Sequence, residues 1–343
     1  MFALPLRITQ SGVVPRRWTE VRAAACAALA LAAVALAWFQ PAHSAALLLA
    51  LGICFARSQR RTASQVGPYR LGAKIGEGGM GVVYRASHTS GQRAAAVKLL
   101  PAERAGLRAR RRFEREAQLT QRLRHPNTIR IYDHGCTPDG TLYYAMEYLD
   151  GLDLQHLVER EGPQPAQRVA SILAQLTAAL DEAHRAGLIH RDVKPANVML
   201  CDGERVKVLD FGLIKSLDAR GTGADTEIDR IVGTPLYLSP EALTAPETVD
   251  ARSDLYAVGA LGYFLLTGVP PFSGRNVLEV CGHQLHSTPL PPSQRLGAAL
   301  PSELEGLILA CLAKAPAARP SSAAQLAAAF ERIAAHEQAP LAA

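Results

Sequence analysis

One short stretch near the middle of the chain, His190-Arg191-Asp192-Val193-Lys194-Pro195-Ala196-Asn197, constrains its fold and chemistry more than any other. It places a carboxylate, an ammonium and a carboxamide within six residues, and Asp210-Phe211-Gly212 follows soon after. Phosphoryl transfer needs a carboxylate that accepts a hydroxyl proton, a positive charge near the moving phosphoryl group, and oxygen donors for a divalent metal. HRDxKxxN followed by DFG therefore predicts a phosphotransferase.

These motifs resemble those of the bacterial eukaryotic-like serine/threonine protein kinase family, including its membrane-anchored mycobacterial receptor kinases. Lys194, two residues after Asp192, is typical of the serine/threonine branch. The resemblance implies an α+β fold of two lobes, a small β-rich N-lobe with one helix and a large, mainly helical C-lobe. It also implies ATP with Mg²⁺ or Mn²⁺ as cofactors and serine or threonine residues of proteins as substrates.

The resemblance assigns a role to each polar group of these motifs. Asp192 is expected to orient the substrate hydroxyl and accept its proton, and Lys194 to contact the γ-phosphate. Asn197 and Asp210 are expected to bind the metal ion.

A glycine-rich turn between two strands precedes these motifs. Glycines there let the backbone approach phosphates without a side chain in the way. A dinucleotide-binding fold would need a helix directly after the turn, whereas the residues that follow are β-prone. The nucleotide-binding positions implied by the resemblance are Ile75, Gly76, Glu77, Gly78, Gly79, Met80, Gly81, Val82 and Val83.

A lysine follows in an apolar strand, and a glutamate follows on the next helix. The resemblance implies that Lys98 holds the α- and β-phosphates and that Glu116 pairs with its ammonium. Helical spacing turns Glu116 towards the lobe interior and Glu114 nearer to solvent. His125, in the loop after this helix, is interpreted as a structural residue.

The strand-to-hinge passage is expected at Met146–Gly151 in a kinase fold. There the resemblance places Met146 at the back of the ATP pocket and gives the adenine edge to backbone groups of Glu147 and Leu149.

The segment Gly233–Glu241 resembles the end of an activation loop, with Ser-Pro-Glu in place of the usual Ala-Pro-Glu. Glu241 is expected to form a buried, structural ion pair with Arg319. Asp254 matches the family's helix-capping aspartate beneath the catalytic loop, and Tyr256 stands where the family usually has tryptophan. Thr234 is expected to hydrogen-bond near Asp192.

The loop between Asp210 and Glu241 carries candidate phosphorylation sites. In kinases with an Arg-Asp pair like Arg191-Asp192, a loop phosphate typically neutralises the guanidinium and orders the loop. Thr226 is the first candidate and Thr222 the second. The alternative is that both are merely polar loop residues.

Positive charge is concentrated in two places, although the net charge of the chain is only +6. One is the stretch from Val21 to Gly76, which contains basic residues but no acidic residue. The other is the cluster Arg108–Arg112. The cluster is interpreted as a solvated helix start. The alternative is that it contacts an anion or a phosphorylated residue. No aromatic residues alternate with these arginines, so nucleic-acid binding is not expected. The six scattered cysteines indicate a reducing compartment.

No charged residue occurs across the 34 positions from 23 to 56. This is long for one upright membrane span of about 20 residues and short for two. A helical hairpin is favoured, because arginines flank both ends and would then both face the cytoplasm. A single tilted span and a cleaved signal peptide are the alternatives. The first two place the chain in the bacterial inner membrane with its kinase domain in the cytoplasm.

The expected organisation is a basic tail (1–22), a transmembrane segment (23–56), a linker (57–68), a kinase domain (69–335) and a tail (336–343). The lobes are expected at 69–149 and 150–335, with C-lobe helices at 169–186, 251–267, 302–313 and 322–335. The expected partners are ATP, protein substrates, the lipid bilayer and a second copy for trans-autophosphorylation. A pseudokinase scaffold and a small-molecule kinase are the functional alternatives; a pseudokinase should lack one of the key polar residues, and all are present.

Overall fold

The computed structural model describes residues 65–78, 81–91, 94–100, 107–211 and 235–336. The expected membrane segment, the N-terminal tail, all of the C-terminal tail but His336, and the three threonines discussed above (Thr222, Thr226 and Thr234) lie outside these ranges. Among the described helices, none combines the length and apolar character that crossing a bilayer requires. The chain divides into two compact units, 1–66 with 70–72, and 67–69 with 73–343. All contacts given below lie within the second unit.

The N-terminal part of the fold is built on an antiparallel sheet. Its strands are β3 (Gly81–His88), β4 (Ala94–Leu100), β5 (Ile131–Cys136) and β6 (Leu142–Glu147); β1 (Gln65–Val66) belongs to the first unit, and β2 (Tyr69–Gly78) has residues in both units. Strand β4 pairs with β3 on one side and β6 on the other, and β5 pairs with β6. Its small residues Ala95, Ala96 and Val97 are buried, as expected of a central strand.

One helix, α1 (Leu107–Arg122), packs against this sheet. Phe113 and Ala117, one turn apart, are fully buried and join an apolar cluster with Leu100, Leu142 and Tyr144. The cluster fixes α1 beside the two strands that carry Lys98 and Tyr144.

The larger part of the fold is mainly helical. The helices are α2 (Leu154–Glu161), α3 (Ala166–Arg185), α4 (Pro240–Thr244), α5 (Ala251–Thr267), α6 (Val277–His286), α7 (Pro292–Leu296), α8 (Ser302–Cys311) and α9 (Ala323–His336). A three-stranded sheet, β7 (Gly151–Asp153), β8 (Val198–Cys201) and β9 (Arg205–Val208), carries the segments that bear the catalytic motifs. Almost every side chain of α5 is buried, so this helix forms the centre of the lobe.

The expected two-lobed kinase architecture and the four C-lobe helices are confirmed, with end positions that differ by up to three residues. Helix α5 matches the expected bounds. Helices α2, α4, α6 and α7 were not predicted. Two of them, α4 and α7, have only five residues each, which is too short for apolar periodicity to be recognised in a sequence.

Candidate active site

A single buried carboxylate holds the backbone of the predicted catalytic loop. Asp254, in the first turn of α5, accepts hydrogen bonds from the backbone N–H of His190 and of Arg191, both at 2.8 Å. Arg191 has a φ of 63°, a left-handed backbone conformation that residues other than glycine rarely adopt, and these bonds hold it there. Asp254 thus lies beneath the loop as expected, but its expected capping role is wrong. Asp250 is the residue that caps α5, by accepting from the N–H of Arg252.

The polar groups of the loop lie together. Nδ2 of Asn197 donates to both the backbone oxygen and Oδ2 of Asp192, at 2.8 Å each. Nζ of Lys194 lies 2.8 Å from the same Oδ2. The short 3-10 turn Pro195–Asn197 brings the amide back to the aspartate. The loop therefore presents one carboxylate flanked by a positive charge and an amide.

Asp210 is held beside this loop by the residues on either side of it. The N–H of Leu209 donates to the backbone oxygen of Asn197 at 2.9 Å. The buried ring of Phe211 packs on the His190 ring, with centroids 4.7 Å apart. The chain turns at Asp210 itself, where φ is 52°. Asp210 and Asn197, the two predicted metal ligands, are thus brought together.

Two strands of the N-lobe sheet reach Asp210. Val83, Lys98 and Tyr144 are directly opposite one another on β3, β4 and β6, so their side chains share one face of the sheet. Nζ of Lys98 lies 2.5 Å from Oδ2 of Asp210, and the hydroxyl of Tyr144 donates to Oδ1. Burial alone would raise the pKa of Asp210, but the Lys98 ammonium, the Tyr144 hydroxyl and His190 together outweigh burial and lower that pKa.

The two glutamates of α1 lie in different surroundings. Glu114 accepts a hydrogen bond from Nε of Arg110 at 2.9 Å on the exposed side of the helix. Oε2 of Glu116, in contrast, is buried. This difference favours Glu116 as the partner of Lys98. The pair itself stays a prediction.

Within the glycine-rich turn, Gly81 has a demanding conformation. Its φ is 141°, and a Cβ there would lie 2.2 Å from the backbone oxygen of Leu99 on β4. A Cβ at Gly78 would meet nothing within 4 Å. Gly81 is therefore needed for the sheet, whereas Gly78 has open space beside it, as a phosphate-binding position requires. The remaining described positions, Ile75, Gly76, Glu77, Val82 and Val83, lie on β2 and β3; Gly79 and Met80 lie outside the described residues.

The predicted hinge is tied to both lobes through Glu147. Its side chain accepts from the N–H of Arg130 at 2.9 Å and from Nζ of Lys207 on β9 at 2.6 Å. Its own N–H donates to the backbone oxygen of Arg130 at 3.0 Å. The backbone N–H of Glu147 is therefore engaged within the protein, and the adenine contacts of the Glu147 and Leu149 backbones stay predictions. Met146 is buried, and Leu149 is partly buried against the N-lobe apolar cluster.

The predicted structural ion pair is present in the C-lobe. The guanidinium of Arg319 contacts Glu241 in a bidentate manner, at 2.6 and 2.7 Å. It also donates to the backbone oxygens of Ala313, Arg252 and Lys314. The Arg319 side chain is 0% exposed. This pair anchors α4, which follows the activation segment, to the centre of the lobe.

A second buried network was not predicted. Nε2 of Gln284 on α6 donates to the backbone oxygens of Pro235 and Leu236, at 3.1 and 2.8 Å. Its Oε1 accepts from the hydroxyl of Tyr256. Tyr256 therefore provides a hydrogen bond at the position where the family usually has tryptophan. The network fixes the described end of the activation segment. No local pattern around Gln284 predicts it, because its partners are 48 and 49 residues away.

The donor set at Asn197 and Asp210 suits a hard divalent cation. Nδ2 of Asn197 is committed to Asp192, so its side-chain oxygen is the atom to present to a metal. Asp210 adds a carboxylate with a lowered pKa. Amide and carboxylate oxygens are the ligands that Mg²⁺ and Mn²⁺ take in proteins.

Sequence comparison with known proteins identifies the family of this chain. Residues 69–331 match the protein kinase domain family. The chain is 43% identical over 262 residues to serine/threonine-protein kinase pkn3 of Myxococcus xanthus, covering 74% of this chain and 48% of that one. It is 42% identical over 277 residues to PknB of Mycolicibacterium smegmatis, covering 79% and 44%. The chain therefore spans about half the length of these relatives, or less.

Solved structures give the same result for the fold. A crystal structure of the PknI kinase domain of Mycobacterium tuberculosis, in a doubly substituted form, superposes with a TM-score of 0.64 at 32% identity. The match covers 80% of this chain and 98% of that one. The chain belongs to the protein kinase family, among the bacterial eukaryotic-like serine/threonine kinases.

Proposed function

We propose that the chain is a membrane-anchored serine/threonine protein kinase that uses ATP with Mg²⁺ and phosphorylates proteins, including its own activation loop. The observation that carries the proposal is the cluster of Asp192, Lys194 and Asn197, with Asp210 held beside it by the Leu209–Asn197 hydrogen bond. This cluster combines a base, a cation and metal ligands within reach of one another.

Each of these residues has a physical role in the proposed reaction. Asp192 orients the incoming hydroxyl and accepts its proton, and Asn197 holds that carboxylate through its amide hydrogens. Lys194 places positive charge beside the γ-phosphate, where negative charge spreads in the transition state. Lys98 holds the α- and β-phosphates, which requires its ammonium to exchange the Asp210 contact for phosphate oxygens. Mg²⁺, held by Asn197 and Asp210, would neutralise phosphate charge when bound.

Two variants test the assignment. Asp192→Asn and Lys98→Met should each lower phosphate transfer to a generic protein substrate by at least about a hundredfold, the usual cost of losing a preorganised electrostatic group. Transfer is measured with labelled ATP, and the unfolding temperature shows whether each variant is folded. Asp181→Asn, in a surface ion pair with Arg185, is the matched control and should behave as the wild type. Undiminished transfer by both active-site variants would falsify the assignment.

The same assay separates the functional alternatives. A pseudokinase scaffold would bind ATP without transferring phosphate to any acceptor. A small-molecule kinase would turn over ATP but leave protein substrates unlabelled. The Gly-Thr-Pro to Ser-Pro-Glu segment supports a protein substrate, and its described end is held by Gln284.

Membrane anchoring through residues 23–56 is supported by the 34 positions without charge and the arginines on both flanks. The proposed arrangement is a helical hairpin in the bacterial inner membrane, with the kinase domain in the cytoplasm. Full-length protein should sediment with membranes at ordinary salt, and a reporter fused at Met1 should be cytoplasmic. A periplasmic reporter would replace the hairpin by a single span, and a protein that stays in the supernatant would remove the anchor altogether.

Control by autophosphorylation is supported by Arg191, directly before the catalytic aspartate, and by Thr226 and Thr222 in the loop. Self-association would allow one copy to phosphorylate another. Mass spectrometry after incubation with ATP should find phosphate on one or both threonines. A Thr222→Ala, Thr226→Ala double variant should phosphorylate an external protein more slowly. Wild-type rates for that variant would refute loop control and leave the kinase assignment standing.

A further inference from the structure

The predicted metal ligand Asp210 is held by two different side chains of the N-lobe sheet. Nζ of Lys98 lies 2.5 Å from Oδ2, and the hydroxyl of Tyr144 donates a hydrogen bond to Oδ1. Lys98 belongs to the proposed phosphate-binding machinery, so its presence here has a known reason. Tyr144 has no role in the reaction as described above. A tyrosine hydroxyl aimed at a metal-binding carboxylate therefore calls for its own explanation.

The position of Tyr144 is set by the fold rather than by a mobile side chain. Tyr144 is only 1% exposed to solvent. The strand register places it directly opposite Lys98, with the Lys98 ammonium 6.0 Å from the ring centroid. On the other side, the ring lies 6.3 Å from that of Phe113 on α1. Sheet and helix together thus direct the hydroxyl at Asp210.

The contact is a hydrogen bond that leaves room on the carboxylate. The hydroxyl of Tyr144 is the donor and Oδ1 of Asp210 is the acceptor. A carboxylate has about four lone-pair sites. One hydrogen bond from Tyr144 and one contact from Lys98 therefore leave sites for a metal ion on the same carboxylate.

We propose that Tyr144 is a positioning residue that orients the Asp210 carboxylate for the divalent metal bound with ATP. The inference rests on the proposed function. Its physical basis is general: hydrogen bonds to a ligating carboxylate fix its orientation, and their loss typically costs about 10- to 100-fold in metal affinity or activity. Asp210 needs such support because it sits at a turn with a positive φ, where the backbone alone is strained.

The rival explanation is that Tyr144 serves only to fill the N-lobe core. The two explanations differ at a single atom, because phenylalanine has the same ring without the hydroxyl. Tyr144→Phe keeps the contacts with Phe113 and removes the hydrogen bond to Asp210. Tyr143→Phe is the matched control: it removes a hydroxyl from the next residue on β6, which faces the other side of the sheet.

The experiment measures metal dependence of nucleotide binding to the full-length protein. The affinity for a non-hydrolysable ATP analogue is determined by calorimetry in EDTA and at increasing Mg²⁺. Mg²⁺ is expected to raise the affinity for the analogue. For Tyr144→Phe, the Mg²⁺ concentration at which half of this gain in affinity is reached should rise about tenfold or more. Affinity in EDTA should stay within about twofold of the wild type, and Tyr143→Phe should match the wild type throughout.

Other results overturn the inference. Wild-type Mg²⁺ dependence in Tyr144→Phe would show that the hydroxyl does not position the metal ligand. An equal loss with and without Mg²⁺ would assign Tyr144 to packing, and tighter Mg²⁺ binding would show that it competes with the metal. Because binding rather than phosphate transfer is measured, a protein that binds nucleotide and metal but transfers no phosphate refutes the proposed function alone.

Discussion

Removing the buried guanidinium of Arg319 should destabilise the C-lobe far more than removing an exposed one. In the wild type, Arg319 is fully buried, contacts both oxygens of Glu241 and donates to three backbone oxygens. Arg319→Met keeps an unbranched side chain but leaves the three backbone oxygens without this donor and Glu241 with the Ser253 hydroxyl in place of its ion pair. Breaking a buried ion pair by removing one partner costs about 3–5 kcal/mol.

The pKa of Glu241 gives a separate figure of similar size. Burial alone would raise this pKa, but hydrogen bonds from Arg319 and Ser253 outweigh burial and lower it from 4.5 to about 2. That difference corresponds to roughly 3 kcal/mol of stability, an upper value because part of the carboxylate is solvated. Because the folded pKa is depressed, this stability is present above pH 4.5 and is lost as the pH falls towards 2.

Urea unfolding followed by circular dichroism at pH 7 and pH 3 measures both effects. Tryptophan fluorescence is unsuitable, because the two tryptophans are at positions 18 and 38, outside the kinase domain. Arg319→Met should lose about 3–5 kcal/mol at pH 7 and should show a smaller further loss at pH 3 than the wild type. Arg252→Met, which removes a half-exposed guanidinium paired with Asp250, should lose at most about 1 kcal/mol.

Two outcomes would refute this reasoning. If Arg319→Met and Arg252→Met lose equal stability at pH 7, the buried pair has no special energetic role. If the wild type and Arg319→Met respond equally to acid, Glu241 is not the group that titrates with the pair.

Three further predictions concern buried polar contacts and backbone geometry. Asn127→Ala should cost about 1–3 kcal/mol in a thermal or urea unfolding experiment, because it removes two hydrogen bonds of its amide nitrogen, one buried and one partly buried. Gln284→Ala should raise the KM for a protein substrate several-fold but leave the KM for ATP unchanged, since it detaches the end of the activation segment; equal changes in both would contradict this. Gly81→Ala should lower the unfolding temperature in the absence of nucleotide because its Cβ would meet the backbone oxygen of Leu99, whereas Gly78→Ala should not.

The sequence by itself determined the chemistry of the site and the class of fold. Asp192, Lys194 and Asn197 lie within six residues, so their proximity is ensured by the chain. Helix α5 was predicted with its observed bounds because a mainly apolar run from Leu255 to Leu266 fills most of it and Gly268 follows its end. The ion pair of Glu241 with Arg319, 78 residues away, was foreseen through the resemblance to kinases and not from any local pattern.

Only the tertiary structure decided how distant segments support that site. Tyr144 meets Asp210 across 66 residues, through a strand register and a helix contact that no local pattern encodes. Asp254 caps nothing and instead holds the backbone of the catalytic loop, a role that depends on where α5 passes beneath it. Hydrogen bonds of this kind require donor–acceptor distances accurate to a few tenths of an ångström and a nearly straight donor–hydrogen–acceptor angle. Residue order fixes which groups are available, whereas packing fixes which of them meet.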